Sequence, residues 1–115
     1  MRIRVMPTVR EPDGLAMSSR NMYLQPHERR QAAVLFRALS EGKAAIRRGA
    51  RWASRIQTLM RSIIRTQPLV RIDTLDLVDA QTLLPLTRLR GRVAILGSVR
   101  LGRTRLIDNI LVDVP

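Results

Sequence analysis

The chain has 115 residues, which is the size of one domain with a single modest hydrophobic core. It contains no cysteine, which excludes disulfides and thiolate metal sites, and no apolar run approaches the roughly 20 residues that a membrane span requires. The hydrophobic share of 45% favours a folded, soluble domain over a disordered chain, and the formal net charge is +12. We expect a cytoplasmic location, because the basic N-terminus lacks the apolar stretch of a signal peptide.

The positive charge is distributed unevenly. Residues 1–71 contain fifteen Arg or Lys and four Asp or Glu, a net charge of +11, whereas residues 72–115 contain six basic and five acidic residues. A basic face attracts nucleic acid or nucleotide phosphates. The same charge fits a solvated arginine-rich face or a surface that meets an acidic neighbouring domain, so charge alone does not choose between these interpretations.

The first predicted elements are a short strand at residues 3–6 and a loop at residues 8–19, in which residues 11–14 (Glu-Pro-Asp-Gly) form a strong turn signal. The helical spacing of apolar residues then predicts a first helix over residues 26–48. Its start is placed at Pro26, because proline is favoured in the first turn of a helix. Gly42 weakens this helix locally, at a cost of about 1 kcal/mol relative to alanine. Gly49 fits its C-terminal cap.

A second helix is predicted over residues 51–66, and Pro68 prevents it from continuing further. One apolar stripe at helical spacing supports it and is typical of a core-facing helix. The stripe consists of Trp52, Ile56, Leu59, Met60, Ile63 and Ile64.

Three strands are predicted after the helices, at residues 70–78, 92–99 and 104–112, with a capped turn at residues 79–82. The short connection at residues 101–103 makes the last two strands an antiparallel hairpin. The fold class is therefore α+β, with two main helices packed on a small, mainly antiparallel three-stranded sheet.

The segment with the clearest chemistry is residues 7–21, PTVREPDGLAMSSRN. Ser18, Ser19 and Arg20 place two hydroxyls, backbone N–H groups and a guanidinium together, and a helical turn is expected just after them. Such groups suit phosphate oxygens, which arginine contacts in bidentate fashion. Taken alone, the same residues also fit an ordinary serine cap beside a solvated arginine.

Three blocks of the chain together resemble the pantothenate synthetase (pantoate–beta-alanine ligase) family. The segment at residues 7–21, followed by Tyr23 and Leu24, resembles the second ATP-binding segment of that family. Residues 79–83 (DAQTL) resemble the family's short turn after the first sheet strand, and residues 101–109 (LGRTRLIDN) resemble its closing segment. The blocks occur in family order, and the resemblance covers essentially the whole chain.

The resemblance implies an ATP-dependent, amide-forming ligase. Its members convert ATP and pantoate into pantoyl adenylate and pyrophosphate, and the amine of beta-alanine then displaces AMP. Mg²⁺ accompanies the ATP. Carried over by motif, Ser18, Ser19 and Arg20 would hold the ATP phosphates, Met17 would pack near the adenosine, and Val9 would contact the adenine mainly through its backbone.

The resemblance also implies that residues 1–115 are a single C-terminal lid domain without the family's N-terminal Rossmann-like domain. That other domain carries an HxGH-type motif, the pantoate-binding residues and a catalytic lysine. Here the only histidine, His27, falls at a helix start, and the only lysine, Lys43, falls in mid-helix. We therefore assign no catalytic or metal-binding residue to this chain and expect it to be inactive alone.

Two other classes stay open from the residues. A small basic nucleic-acid-binding domain would explain the charge, although the chain has few aromatic residues for base stacking and no recognisable recognition motif. An interaction module would expose the face that normally meets another domain, so we expect some self-association, including homodimers. We expect no membrane partner and no specific nucleic acid.

Overall fold

The computed structural model describes residues 26–115. Within that range three helices precede three strands, which confirms the α+β class and the three-stranded antiparallel sheet. No helix in the described range is long and apolar enough to cross a membrane. The elements are α1 (Pro26–Ala32), α2 (Val34–Arg47), α3 (Ala53–Ile64), β1 (Val70–Asp79), β2 (Arg92–Leu101) and β3 (Thr104–Asp113).

The predicted first helix exists but is interrupted once, at Ala33, between α1 and α2. Ala33 keeps right-handed helical dihedrals (φ −62°, ψ −16°). The amides of Ala33 and Arg37 donate to the carbonyls of Arg29 and Ala33 over 3.3 Å each, which is longer than an ordinary amide–carbonyl bond. The hydrogen-bond ladder is therefore loosened at a residue that carries no glycine or proline signal.

The predicted cap at Gly49 is confirmed. Gly49 has φ +118°, a conformation that a side chain disfavours. Its amide donates to the carbonyl of Ile46, and the amide of Ala50 donates to that of Ala45, each over 3.0 Å. This pair of bonds is a Schellman motif, which satisfies the last carbonyls of α2 and turns the chain towards α3.

The predicted start of the second helix was wrong by two residues. The helix begins at Ala53, and Trp52 is extended (φ −108°, ψ 123°) and 51% exposed rather than part of the buried stripe. The backbone explains this, because Trp52 forms an isolated β-bridge with Arg88 and the amide of Ala53 donates to the carbonyl of Thr87 over 2.9 Å. Within the stripe, Ile56, Met60 and Ile64 are buried and Ile63 packs against the core, whereas Leu59 is only partly buried and lies outside the core cluster.

The sheet has the order β1-β2-β3, and both pairs are antiparallel. The predicted hairpin between β2 and β3 is confirmed, with only Gly102 and Arg103 between the strands. Gly102 has φ +61°, which fits a type II′ turn that requires glycine at its first central position. The β1–β2 register shifts between Ile72 and Thr74, so that Asp73 occupies a β-bulge.

The helices cover one face of the sheet, which we call the inner face. Its central position is Gly97, where an added Cβ would lie 2.8 Å from Cδ1 of Leu35 on α2. Helices α2 and α3 approach closely at Gly42, where an added Cβ would lie 3.1 Å from Cγ2 of Ile56. The largest fully buried side chains form this core: Leu39, Ile46, Ile56, Met60, Ile64, Leu89, Val93, Ile95, Val99 and Leu101.

The capped turn predicted at residues 79–82 is also confirmed. One carboxylate oxygen of Asp79 accepts hydrogen bonds from the amides of Gln81 (2.8 Å) and Thr82 (2.9 Å). The turn forces Leu83 to a positive φ of 61°, which non-glycine residues seldom adopt. The carboxylate cap therefore holds the chain as it leaves β1.

Candidate functional site

The five residues predicted to bind ATP (Val9, Met17, Ser18, Ser19 and Arg20) lie outside the described residues. Their assignment therefore stays a prediction. His27 lies in α1, as expected for a helix start, and its side chain is also outside the description. Lys43 lies in mid-helix, as expected, and is half-buried on α2.

The described residues begin with α1, the helix that follows the predicted ATP segment along the chain. Pro26, the first residue of α1, follows Arg20 by six residues, a length that spans at most about 22 Å when extended. Glu28 lies in the first turn of α1, where a negative charge complements the helix dipole. Its carboxylate is 3.1 Å from the place where a Cβ on Gly102 would lie, so the first turn of α1 packs against the hairpin turn.

A second contact fixes α1 to the start of β1. The amide oxygen of Gln31 accepts a hydrogen bond from the backbone N–H of Leu69 over 3.1 Å. With the contact at Gly102, this bond holds the short helix to both neighbouring strand ends. The chain that emerges before Pro26 therefore starts from a defined position at the hairpin end of the sheet.

The same end of the sheet carries a row of three arginines on its outer face, the face opposite the helices. Arg71, Arg100 and Arg105 are direct neighbours across β1, β2 and β3, and we call them the arginine row. The Nε of Arg100 donates to a carboxylate oxygen of Asp73 over 3.1 Å, and the Nε of Arg105 lies 3.5 Å from the same oxygen. The Nε of Arg105 also donates to the hydroxyl of Ser98 over 3.0 Å.

The arginine row was missed by sequence reasoning. The three residues are scattered along the chain and become neighbours only through the strand register, which periodicity does not define. The short hairpin turn does place Arg100 opposite Arg105. Arg71 joins them only through the pairing of β1 with β2, which follows a connection of twelve residues, from 80 to 91.

At the opposite end of the sheet, two arginines, Arg51 and Arg88, make structural contacts. The guanidinium of Arg51 donates over 2.9 to 3.0 Å to three main-chain carbonyls, those of Ile46, Ala50 and Pro115. The guanidinium carbon of Arg88 lies 6.0 Å from the centre of the Trp52 ring, at the outer limit of a cation–π contact. Arg51 ties the end of α2 to the C-terminus, and Arg88 lies against the residue before α3, so part of the positive charge of the chain has a structural role.

Two carboxylates have lowered pKa values for identifiable reasons. The backbone amide of Thr82, followed by that of Gln81, stabilises the charged carboxylate and lowers the pKa of Asp79. The hydrogen bond from Arg92, at 3.0 Å, lowers the pKa of Asp113. Both are structural contacts, and residues 26–115 contain no group of three or more His, Cys, Asp or Glu that could hold a metal ion.

Comparison with known proteins matches residues 1–111 to the pantoate-beta-alanine ligase family. The pantothenate synthetase of Moorella thermoacetica is 47% identical over 112 residues, which cover 97% of this chain and 40% of that protein. The pantothenate synthetase of Rubrobacter xylanophilus is 52% identical over 104 residues, covering 90% of this chain and 36% of that protein. The chain thus spans about two fifths of the length of these relatives.

Solved structures share the fold. A crystal structure of pantothenate synthetase from Thermus thermophilus has a TM-score of 0.85 and 39% identity, over 91% of this chain and 38% of that chain. A pantoate-beta-alanine ligase from Francisella tularensis, solved with beta-gamma ATP and beta-alanine, has a TM-score of 0.53 and 22% identity, over 92% of this chain and 31% of that chain. The likeness to the second structure shows the fold alone.

These similarities define the chain as a domain built like part of a ligase. The chain belongs to the pantoate-beta-alanine ligase family, and the resemblance drawn from its sequence blocks is confirmed. The interpretation as a nucleic-acid-binding domain is not favoured by this membership.

Proposed function

We propose that this chain is the C-terminal, ATP-closing part of a pantothenate synthetase, the enzyme that joins pantoate to beta-alanine at the expense of ATP. The observation that carries the proposal is the family match over residues 1–111, which includes the whole predicted phosphate-binding segment. The family membership supports a ligase as the activity of the whole protein. The assignment of this part to closure over ATP rests on the hydroxyls and guanidinium at residues 18–20.

Two steps make up the proposed reaction. A carboxylate oxygen of pantoate attacks the α-phosphorus of ATP, forming a P–O bond as the bond to pyrophosphate breaks. The amine of beta-alanine then attacks the acyl carbon, AMP leaves with the electron pair of the C–O bond, and the nitrogen loses a proton. Negative charge develops on the phosphates in the first step, so fixed hydrogen-bond donors and positive charge stabilise its transition state.

The chain's own contribution to these steps would be to bind and orient the nucleotide. Ser18 and Ser19 would donate hydroxyl and backbone hydrogen bonds to phosphate oxygens, and the guanidinium of Arg20 would contact the phosphates in bidentate fashion. Met17 would pack near the adenosine and Val9 would contact the adenine through its backbone. The histidines and lysine that act on the reacting atoms in this family would come from the nucleotide-binding domain.

The ligands proposed for the whole protein are ATP, pantoate and beta-alanine. The Francisella tularensis family member was solved with an ATP compound and beta-alanine, which supports the two ligands for the family. Mg²⁺ would arrive with ATP and be held largely by its phosphate oxygens, the usual arrangement for this ion. The reaction would take place in the cytoplasm. We also propose that the chain associates with a second copy of itself to form a homodimer.

The described residues would form the rigid support to which the phosphate-binding segment is attached. Glu28 and Gln31 fix α1 against the hairpin turn and the start of β1, six residues or more beyond Arg20. A lid must move as a unit, and the buried core beneath α1 makes that unit rigid. Displacements of the domain would then carry residues 18–20 towards or away from the phosphates.

A chimera tests the proposal directly. This chain replaces the matching 112 residues of the Moorella thermoacetica enzyme, which are 47% identical, and pantothenate formation is followed with AMP release. We expect the chimera to be active and the 115-residue chain alone to form no pantothenate. Replacing Ser18, Ser19 and Arg20 together by alanine should lower kcat/KM by about 100-fold or more, the usual cost of losing phosphate or oxyanion donors.

The matched control is a triple alanine variant at Ser54, Arg55 and Ser62, which are the same residue types on the exposed side of α3. This variant should keep the activity of the parent chimera. Full activity after removal of Ser18, Ser19 and Arg20, or pantothenate synthesis by the chain alone, would contradict the proposal.

A further inference from the structure

The alignment of three arginines across adjacent strands is unfavourable unless something offsets it. Like charges directly opposite each other destabilise a sheet, and Arg100 faces Arg71 on one side and Arg105 on the other. Among residues 26–115, the carboxylate of Asp73 pairs with both Arg100 and Arg105. Within residues 26–115 Arg71 has no ion pair and Arg100 shares its acidic partner with Arg105, so Arg71 and Arg100 together keep an excess of positive charge at one end of the outer face.

Asp73 orients the row as well as offsetting part of its charge. The β-bulge at this residue brings its carboxylate to the two arginines of β2 and β3, and the contacts use their Nε atoms. Within residues 26–115, the two terminal nitrogens of Arg100 have no hydrogen-bond partner, and Arg71 has no ion pair. Arg100 is held by one edge of its guanidinium and can still offer its terminal fork to a ligand.

The dimensions and exposure of the row fit a small anion with several charges. Neighbouring strands lie about 4.8 Å apart, so the three Cα atoms span about 10 Å. The side chains of Arg100 and Arg105 are 61% and 48% exposed, so a ligand can reach them from solvent. A single carboxylate or phosphate would engage one arginine, whereas a chain of two or three phosphates can bridge neighbouring forks.

We propose that Arg71 and Arg100 of the arginine row bind a compact di- or triphosphate group on the outer face of the sheet, with Arg105 beside them. This site goes beyond the function proposed above, whose phosphate contacts are assigned to residues 18–20. Two sources share the required chemistry, namely free inorganic di- or triphosphate and the phosphate tail of a nucleotide. The proposal for this site holds whether or not the ligase reaction proposed above is correct.

Calorimetric titration of the 115-residue chain with sodium tripolyphosphate tests the proposal, with inorganic phosphate as a second probe at matched ionic strength. We expect saturable binding of one tripolyphosphate and at least tenfold weaker binding of phosphate. Arg71→Gln and Arg100→Gln should each weaken tripolyphosphate binding about tenfold, the scale of one hydrogen bond to a charged group. Arg100→Lys should bind with intermediate affinity, because it keeps the charge and loses the planar fork.

Arg55→Gln is the matched control, because Arg55 is exposed on α3 and its loss changes the net charge by the same amount. It should weaken binding less than twofold. Equal losses for Arg55→Gln and Arg71→Gln would mean diffuse attraction to a basic protein and would overturn the proposal. Arg71→Gln breaks no ion pair among residues 26–115, so it remains a valid test even if Arg100→Gln disturbs the contact with Asp73.

A variant with Ser18, Ser19 and Arg20 replaced by alanine separates this site from the proposed ATP segment. Tripolyphosphate binding that persists in this variant and falls with Arg71→Gln supports the row, even if the chimera described above fails. Binding lost in this variant and unchanged by Arg71→Gln would overturn the row and leave the ATP proposal intact. Comparing tripolyphosphate with ATP in the same background identifies the source, since equal affinity indicates recognition of the phosphates alone and tighter ATP binding indicates a nucleotide.

Discussion

The two faces of the sheet are made from alternate residues of the same strands, yet they have different compositions. On the inner face, β2 presents Val93, Ile95 and Val99, which are completely buried under the helices. On the outer face, the same strand presents apolar, hydroxyl and charged groups: Ala94, Leu96, Ser98 and Arg100. The inner face therefore holds the main core, whereas the outer face combines a smaller buried cluster, which includes Val78 and Ala94, with charged side chains.

The fold tolerates arginines side by side on the outer face because the inner face supplies most of the core. Arginines opposite one another are unfavourable, so a strand can carry them only if burial elsewhere exceeds their cost. Substitutions on the two faces should consequently affect different properties. Inner-face changes should alter the free energy of unfolding, and outer-face changes should alter ligand binding with smaller effects on stability.

The largest difference should appear between the neighbouring residues Ile95 and Leu96. Ile95 is completely buried on the inner face, and Ile95→Ala should lower the free energy of unfolding by about 2–5 kcal/mol through lost burial and a cavity. Leu96 is only partly buried on the outer face, and Leu96→Ala should cost no more than about 1.5 kcal/mol. Urea unfolding of both variants measures the difference, and equal losses would contradict the assignment of the two faces.

The next effect concerns the close approach of α2 to the inner face. Gly97→Ala places a Cβ 2.8 Å from Cδ1 of Leu35, and this overpacking should lower the free energy of unfolding by about 1–3 kcal/mol. Leu35→Ala removes the obstructing atom, so the double variant should be more stable than the sum of the single losses predicts. Additive losses in urea unfolding would show that the helix does not lie against Gly97.

A smaller, pH-dependent effect is expected at the turn after β1. The folded-state pKa of Asp79 is lowered, so its stabilising contribution is present above the unfolded value of about 4 and is lost as pH falls through the folded value. Asp79→Ala should lower the thermal midpoint at about pH 6, and the gap from wild type should narrow below about pH 4. Asp79→Asn keeps an oxygen acceptor for the amides of Gln81 and Thr82 and should lose less near neutral pH. A gap that stays constant with pH would contradict the charged cap.

The smallest effect is expected at the exposed pair Arg92–Asp113, whose side chains are 64% and 72% exposed. Exposed ion pairs contribute little in water and are screened by salt. Arg92→Gln should therefore leave the urea midpoint nearly unchanged at about 0.5 M NaCl. A large loss of stability that persists at this salt concentration would show that this outer-face ion pair contributes substantially to the free energy of unfolding.

Much of the fold was predictable from the sequence, because the patterns of the helices, strands and turns agree with their tertiary positions. The spacing of Ile56, Met60 and Ile64 identified a core-facing helix, and Gly49 and Asp79 identified two caps. Trp52 was misassigned because its spacing continues the stripe, whereas its backbone is held extended by the bridge to the 87–88 segment. The interruption at residue 33 carries no local signal.

Of the two candidate sites, one could be identified from the sequence and the other could not. Residues 18–20 were found from a motif in one continuous segment, and they still await a test. The arginine row was not found, because it depends on the β1–β2 register and on a bulge at Asp73, and a shift of one residue would move each side chain of β1 to the other face. Contacts set by register can be identified only once the strands are paired.

An NMR titration with Mg-ATP tests directly whether this chain contributes a phosphate-binding segment to an ATP-dependent ligase. The backbone amides of residues 9–21 are followed together with those of residues 70–73 and 98–106. Saturable shifts in residues 9–21 that disappear when Ser18 and Ser19 are both replaced by alanine are the predicted result. ATP-dependent shifts that leave residues 9–21 unaffected and spread over the arginines of α2 and α3 would contradict a phosphate-binding role for residues 18–20.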